Sequence, residues 1–357
     1  MTGALSRPFL AALVGDEKVE ALFSNEVELA ALLAVEAALA DAEAKTGLIA
    51  AEAAARIGDV CRTFSPDRQR LAEGLARDGV VVPDLVRQLR EAVGEPYAAA
   101  VHKGATSQDI VDTALMLRLK RVAGIVEKRL DTLVAGLRDL AARDGAVPLM
   151  AHTRMQAALA FTAADKIETW RAPLQRQADE LRRLGPSIFA VQLGGPVGAR
   201  SGFDGKGDAV AREMANALGL ADAPCWHSER DRIARFAAWL SLTSGLLGKF
   251  GQDVALMVQS EVGEAEISGA GGSSSMPHKA NPVSAEVLVA LARFNAGLLG
   301  TLNQALVYEN ERSGAAWTLE WLVLPQMAIA TAAGLTTARG LVKALRIRPS
   351  RAVDRYG

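Results

Sequence analysis

Cysteine is nearly missing from these 357 residues: only Cys61 and Cys225 occur, without partners at metal-ligand spacing and too few for a disulfide framework. Histidine is almost as scarce, with four scattered residues, so no metal and no cofactor are expected. Aromatic residues make up 5% and prolines number 13, which leaves a core of Ala, Leu and Val and favours helices over sheets. Neither sign of charge prevails: 40 Lys+Arg face 41 Asp+Glu for a net charge of -1, so no general pull toward nucleic acid or a membrane surface is expected. The opening MTGALSRPFLAALVGDEK holds one short apolar patch broken by Pro8, too short for a signal core or a membrane span. A reducing cytoplasm is the expected compartment. The glycines of QLGGPVG (Gly194, Gly195, Gly198) follow no strand pattern and are no dinucleotide fingerprint; a tight turn is expected there.

What is present is helical periodicity. From Asn25, with Glu28 at the capping-box position, an Ala/Leu-rich run reaches Gly47, and Ser65-Pro66 reads as the cap and first-turn proline of another helix. Short helices punctuated by Gly79 and Gly94 suggest a small helical N-terminal domain over 1–100. Beyond Ser107, Leu115, Leu119, Val122, Val126, Leu130, Leu133, Leu137 and Leu140 recur at steps of three and four, which makes one long helix up to Pro148. Similar helices are expected over 154–184, 228–267 and 282–311, and over 320–345 with a kink at Pro325. Helices of that length pack along one another, so 101–345 reads as an elongated bundle and 346–357 as a short tail. The fold class is all-α, and no segment alternates as a strand.

One stretch is built for neither core nor helix. In 271–282, GGSSSMPHKANP, small residues and three hydroxyls precede a proline turn, His278, Lys279 and Asn281. By composition such a loop is most often a connector, and a phosphate loop would need a GK[ST] ending that is missing. As a site, it brings a hydroxyl, backbone N–H groups and a cation to a small anion. The run HKGATSQD, just before the long helix, admits two readings as well: Thr106 or Ser107 as a simple N-cap, or Lys103, Thr106 and Ser107 holding a carboxylate at a helix N-terminus. HTRMQ is read as the start of the second long helix; its Arg154 stays protonated and suits bidentate carboxylate binding, not proton transfer. In ENERSGAAWTLEWLVLP, Trp317 and Trp321 are read as structural, and Arg312 as a cation within reach of a carboxylate. His227 is expected to cap or lie exposed.

S-S-x-M-P-x-K-x-N resembles the signature of the fumarase/aspartase superfamily, VHKGATSQDIVDTA resembles its adenylosuccinate lyase and carboxymuconate cycloisomerase branch, and ERS...W..EW..LP resembles the cycloisomerases more than the lyases. The resemblance implies an elongated bundle of long helices in a homotetramer whose sites take motifs from three chains. It implies Ser273, Lys279, Asn281 and Arg154 as catalytic groups. His102, Lys103, Thr106, Ser107, His152, Thr153, Gln156, Ser274, Met276 and Arg312 would bind the substrate. That substrate would be a small tricarboxylate, 3-carboxy-cis,cis-muconate, closed to 4-carboxymuconolactone in protocatechuate degradation. Two departures set the chain apart from the lyases: Arg154 stands where they carry a catalytic histidine in R-T-H-x-Q, and Pro83 where adenylosuccinate lyases have a substrate-side histidine. A lyase must protonate a leaving group; an intramolecular lactonisation has none. An adenylosuccinate-type lyase and a silent helical scaffold are the alternatives. The sequence stops where many members continue into a small C-terminal domain, so a more open site is expected.

Overall fold

The structure, a computed structural model, describes residues 8–272, 276 and 279–353. Two short helices, α1 (Pro8–Val14) and α2 (Glu17–Glu20), lead into α3 (Asn25–Lys45). Ser24, not Asn25, caps α3, its hydroxyl accepting from the Val27 N–H at 3.3 Å. α4 (Ala51–Thr63), α5 (Arg68–Asp78) and α6 (Val82–Val93) follow. The start read at Ser65 and Pro66 is displaced, because Asp67 takes the N–H groups of Gln69 (2.9 Å) and Arg70 (3.1 Å) and is the cap. Leu39, Ile57, Leu85 and Leu89 of these helices share a core with Ile110 and Phe203.

α7 (Ser107–Asp144) is the single helix that the Leu and Val spacing requires. At about 1.5 Å per residue it is about 57 Å long. Leu119, Val126, Leu130 and Leu137 are wholly buried along it, where it packs on α8 (Ala163–Ile188) and α12 (Gly314–Ala344), with α9 (Gly207–Leu218), α10 (Asp231–Met257) and α11 (Val283–Asn303) completing the order. α12 is continuous across Pro325 and begins six residues earlier than its expected start at Glu320, because Ser313 caps it by accepting from the Ala316 N–H at 3.2 Å. α10 and α11 end short of their expected bounds at 267 and 311.

The reading without strands is overturned. β1 (Pro148–Thr153) and β2 (Gln156–Thr162) form an antiparallel hairpin, and β3 (Ala265–Ile267) pairs antiparallel with β4 (Leu345–Ile347). Every β2 residue is exposed or half-exposed, so there is no buried face to write an alternation into the sequence. HTRMQ therefore spans a hairpin turn. Arg154 and Met155 sit at φ 49° and 66°, the left-handed pair that a tight two-residue hairpin turn takes. The helix begins only at Ala163, where Thr162 and Asp165 form a capping box.

A buried ion cluster ties the long helices near the start of α7. Arg230, 3% exposed, donates to both oxygens of Asp112 (2.7 and 3.2 Å) and both of Glu320 (2.9 and 2.5 Å). Trp317 Nε1 adds a bond to Asp112 at 3.0 Å. Burial pushes the Glu320 carboxyl upward against the pull of Arg230. Replacing Arg230 leaves two carboxylates buried without their cation, so Arg230→Met should lower stability by about 3–5 kcal/mol. Urea unfolding of variant and wild type checks this; an unchanged midpoint would contradict it.

Candidate active site

The HKGATSQD box is held from beneath by one carboxylate. Thr106 is the N-cap of α7, and Asp109 answers it by accepting the Thr106 N–H at 2.9 Å. The same side chain, fully buried, accepts from the N–H groups of Gly194 (2.6 Å) and Gly195 (2.9 Å) and meets His227 Nε2 at 2.8 Å. The 194–198 turn is thereby fastened to the box. Gly104, at φ 68°, presses on Gly202 and Phe203 so closely that a Cβ would meet the Gly202 carbonyl at 2.6 Å.

Around this anchor stand the other polar side chains of the box. His102 Nδ1 pairs with Glu36 Oε1 at 2.7 Å, and Lys103 Nζ donates to the Leu48 carbonyl at 2.8 Å. Burial works against a charge on His102, but Glu36 outweighs it and raises the imidazole. Arg312 Nε donates to Gln108 Oε1 at 3.0 Å, and Gln108 in turn donates to Tyr308 Oη (3.1 Å) and the His227 carbonyl (2.9 Å). A cavity of about 320 Å³, lined by Pro83, Arg87, Arg90, His102, Thr106 and Ser107, opens beside the α7 N-terminus. Two arginines, His102 and the first residues of α7 line it, and the positive end of a helix suits a carboxylate. His227 is neither capping nor exposed, contrary to the sequence reading: it is 3% exposed and bonded to Asp109.

The other motifs lie at the far end of α7. The β1–β2 hairpin follows its C-terminus, with His152, Thr153, Arg154 and Gln156 all exposed; Thr153 and Gln156 pair across the turn. His152 Nδ1 donates to the Met150 carbonyl at 2.9 Å, which leaves Nε2 to the exterior. The Gly/Ser loop belongs to this end too, since Ser268 N–H donates to Ala344 O (3.0 Å) next to the β3–β4 pair, and Met150 N–H reaches Glu264 at 3.4 Å. Its neck is closed by two backbone bonds between Gly271 and Asn281 (3.0 and 2.7 Å), and Asn281 Nδ2 donates to Gly272 O at 3.3 Å. Lys279 is exposed and its N–H bonds the Met276 carbonyl at 3.0 Å. Ser273 and Ser274 lie outside the described residues. The box and the hairpin thus stand at opposite ends of α7, whose 38 residues span about 57 Å.

The model of a lyase family matches residues 13–294, and the chain belongs to that fumarase/aspartase family. It is 41% identical over 341 residues to a 3-carboxy-cis,cis-muconate cycloisomerase of Pseudomonas aeruginosa, covering 93% of this chain and 74% of that one. A cycloisomerase of the same description from Bradyrhizobium diazoefficiens is 37% identical, with 98% and 79% covered. The crystal structure of the 3-carboxy-cis,cis-muconate lactonizing enzyme from Pseudomonas putida superposes with a TM-score of 0.88 at 35% identity, covering 94% and 76%.

Sequence reasoning passed over Asp109, His227 and Glu36 as supports of the site. Asp109 carried a signal, being third after the cap Thr106, but Glu36 and His227 stand 66 residues from His102 and 118 from Asp109. Two buried groups here make stability depend on pH. Burial raises Glu43 to about 8, against the pull of Lys103. Burial lowers His227, but Asp109 and the neighbouring Cys225 raise it to about 9. Both folded-state values exceed the unfolded ones, so the native state holds protons that the unfolded chain releases, and stability falls between the two values of each group: from 4.5 to about 8 for Glu43 and from 6.5 to about 9 for His227. The urea midpoint should therefore drop between pH 6 and 9.5, and Glu43→Gln should flatten the drop; a midpoint that rises over this range contradicts the assignment.

Proposed function

We propose that this protein is a cycloisomerase that lactonises 3-carboxy-cis,cis-muconate to 4-carboxymuconolactone. The observation that carries the reading is the side chain at the hairpin tip. Arg154 offers a fixed cation where the lyase pattern has a titrating histidine, so the site can clamp a carboxylate but has no acid there for a leaving group. The similarity to the named cycloisomerases supports it independently.

In this mechanism a carboxylate oxygen of the substrate attacks the β carbon of the diene and forms the ring C–O bond. The displaced π electrons move toward the α carbon and collect on its carboxylate, stabilised by Lys279 and loop N–H groups. Ser273 then delivers a proton to the α carbon. Arg154 and His152 at the hairpin, with Lys103, Thr106 and Ser107 at the box, hold the remaining carboxylates in attack geometry. His102, Thr153, Gln156, Ser274, Met276 and Arg312 line the substrate.

The box and the hairpin-and-loop end, each half of a site, come together in this proposal only between chains, in a homotetramer. α11 and the turn after it, Val283–Leu306, have a mean hydropathy of 1.4 in their most apolar window, yet only 28% of that window is buried. By length and composition this segment and α12 could each cross a membrane. In this proposal helices of other chains cover it.

The test is turnover itself. Purified protein should remove the diene absorbance of 3-carboxy-cis,cis-muconate and yield the lactone, with adenylosuccinate left intact; the reverse preference overturns the proposal. Ser273→Ala should lower kcat by about 10²–10⁴-fold, and Arg154→His should lower kcat/KM by about 100-fold or more. Near-wild-type turnover in Ser273→Ala together with loss in Ser274→Ala would move the proton donor to the neighbouring serine. Full activity in Arg154→His would remove the role given to the guanidinium.

A further inference from the structure

Helix α3 carries two carboxyl groups on its buried face, Glu36 and Glu43, two turns apart and each 1% exposed. Both Glu43 oxygens and Glu36 Oε2 are buried without a partner among the described residues. The one hydrogen bond these two side chains make there joins Glu36 Oε1 to His102 Nδ1 at 2.7 Å. Burying a carboxylate is costly, and a mere tie between α3 and the box does not need it. The chain is already fastened on either side of His102, where Arg90 donates to the Val101 carbonyl at 3.0 Å and Lys103 to the Leu48 carbonyl at 2.8 Å. His102 itself takes left-handed backbone, φ 60°, which is uncommon for a residue other than glycine and is held only where the surroundings impose it. With Nδ1 turned to Glu36, Nε2 is the ring nitrogen left for the cavity of about 320 Å³ that His102 lines with Arg87, Arg90, Thr106 and Ser107.

We propose that Glu36 is a positioning residue: it fixes the His102 ring with Nδ1 inward and holds it as an imidazolium, so that Nε2–H is offered in the cavity as a charged donor to a substrate carboxylate. This rests on the reading of the box as a carboxylate-binding half of the site. The charged groups around the ring come from four segments: Glu36 and Glu43 of α3, Arg87 and Arg90 of α6, Lys103 next to it in the chain, and Asp109 of α7. Burial alone would lower the imidazole and Arg90 works the same way, but Glu36 and then Asp109 carry the balance upward. Glu43 is raised to about 8 by burial, against the pull of Lys103 and with Glu36 pushing the same way, so at pH 7 it adds no second negative charge. A ring held in this way stays a donor at pH values where a free histidine is neutral. It binds the substrate and transfers no proton, and its grip is lost as pH rises through its raised value.

The experiment reads the ring before any turnover. Deuterium exchange at the imidazole C2 position, followed by mass spectrometry on the whole protein from pH 5 to 10, titrates each of the four histidines in its own tryptic peptide. In the wild type His102 should titrate above the ordinary histidine value of about 6.5. Glu36→Gln keeps the shape and a hydrogen-bond acceptor but removes the charge, and its His102 should titrate about one pH unit or more lower than in the wild type. At pH 7.5 this variant should raise KM for 3-carboxy-cis,cis-muconate about tenfold and change kcat by less than about threefold. At pH 5.5, where the ring is protonated in both proteins, KM should return to within about twofold of the wild type. A purely structural role would leave KM impaired alike at both pH values, and that result overturns the proposal. So does a wild-type His102 that titrates at or below about 6.5, whether or not the variant folds. A wild type without turnover would be the failure of the cycloisomerase reading, and the exchange titration would still decide whether Glu36 holds the ring charged.

Discussion

The buried Asp109 carboxylate is the contact on which the rest of the box depends. It closes the cap of α7, pins the turn at Gly194 and Gly195, and holds His227. A buried carboxylate needs its oxygens satisfied, and here backbone N–H groups and an imidazole do so from three separate parts of the chain. Three residues further along α7, Asp112 repeats the device with Arg230, Glu320 and Trp317. Two acidic residues one helical turn apart thus join the start of α7 to α10 and α12. The half-buried stretch before it, with His102, Lys103, Thr106 and Ser107, is thereby held in place.

Helix length then separates the chemistry. The run from Ser107 to Asp144 carries the chain from the box to the hairpin, α12 packs on it and α10 and α11 pack on α12, and the Gly/Ser loop lies at the hairpin end and Arg312 at the box end. No folding of a single chain on these elements brings Arg154 to Ser107. The same long helices that supply the core dictate that a complete site, as proposed, is made where chains meet.

α7 was legible because its buried stripe runs without a break from Leu115 to Leu140, a regularity only a helix makes. The Thr106 cap was legible for the same local reason. The β1–β2 hairpin was not: its second strand buries neither face, and Arg154 and Met155 take left-handed backbone without the Asn or Gly that usually announces such a turn. His227 was misread because its partner is remote in sequence, and Glu36 looked like any helix-surface glutamate although it lies buried under His102. Local patterns write helices into a sequence; buried polar pairs between distant segments leave no spacing to read. For the loop, it was the motif resemblance that raised 271–282 above an ordinary connector.

The claim that the two ends of different chains make one site has a direct measurement. An Arg154→His chain and a Ser107→Asp chain each spoil one end; the added aspartate sits well at a helix N-terminus but repels a carboxylate ligand. The two are unfolded, mixed in equal amounts and refolded together, and the turnover of 3-carboxy-cis,cis-muconate is measured. The account predicts that the mixture regains about a quarter of wild-type activity, because random assembly leaves about one site in four with both halves intact. A mixture as inactive as either parent would contradict it.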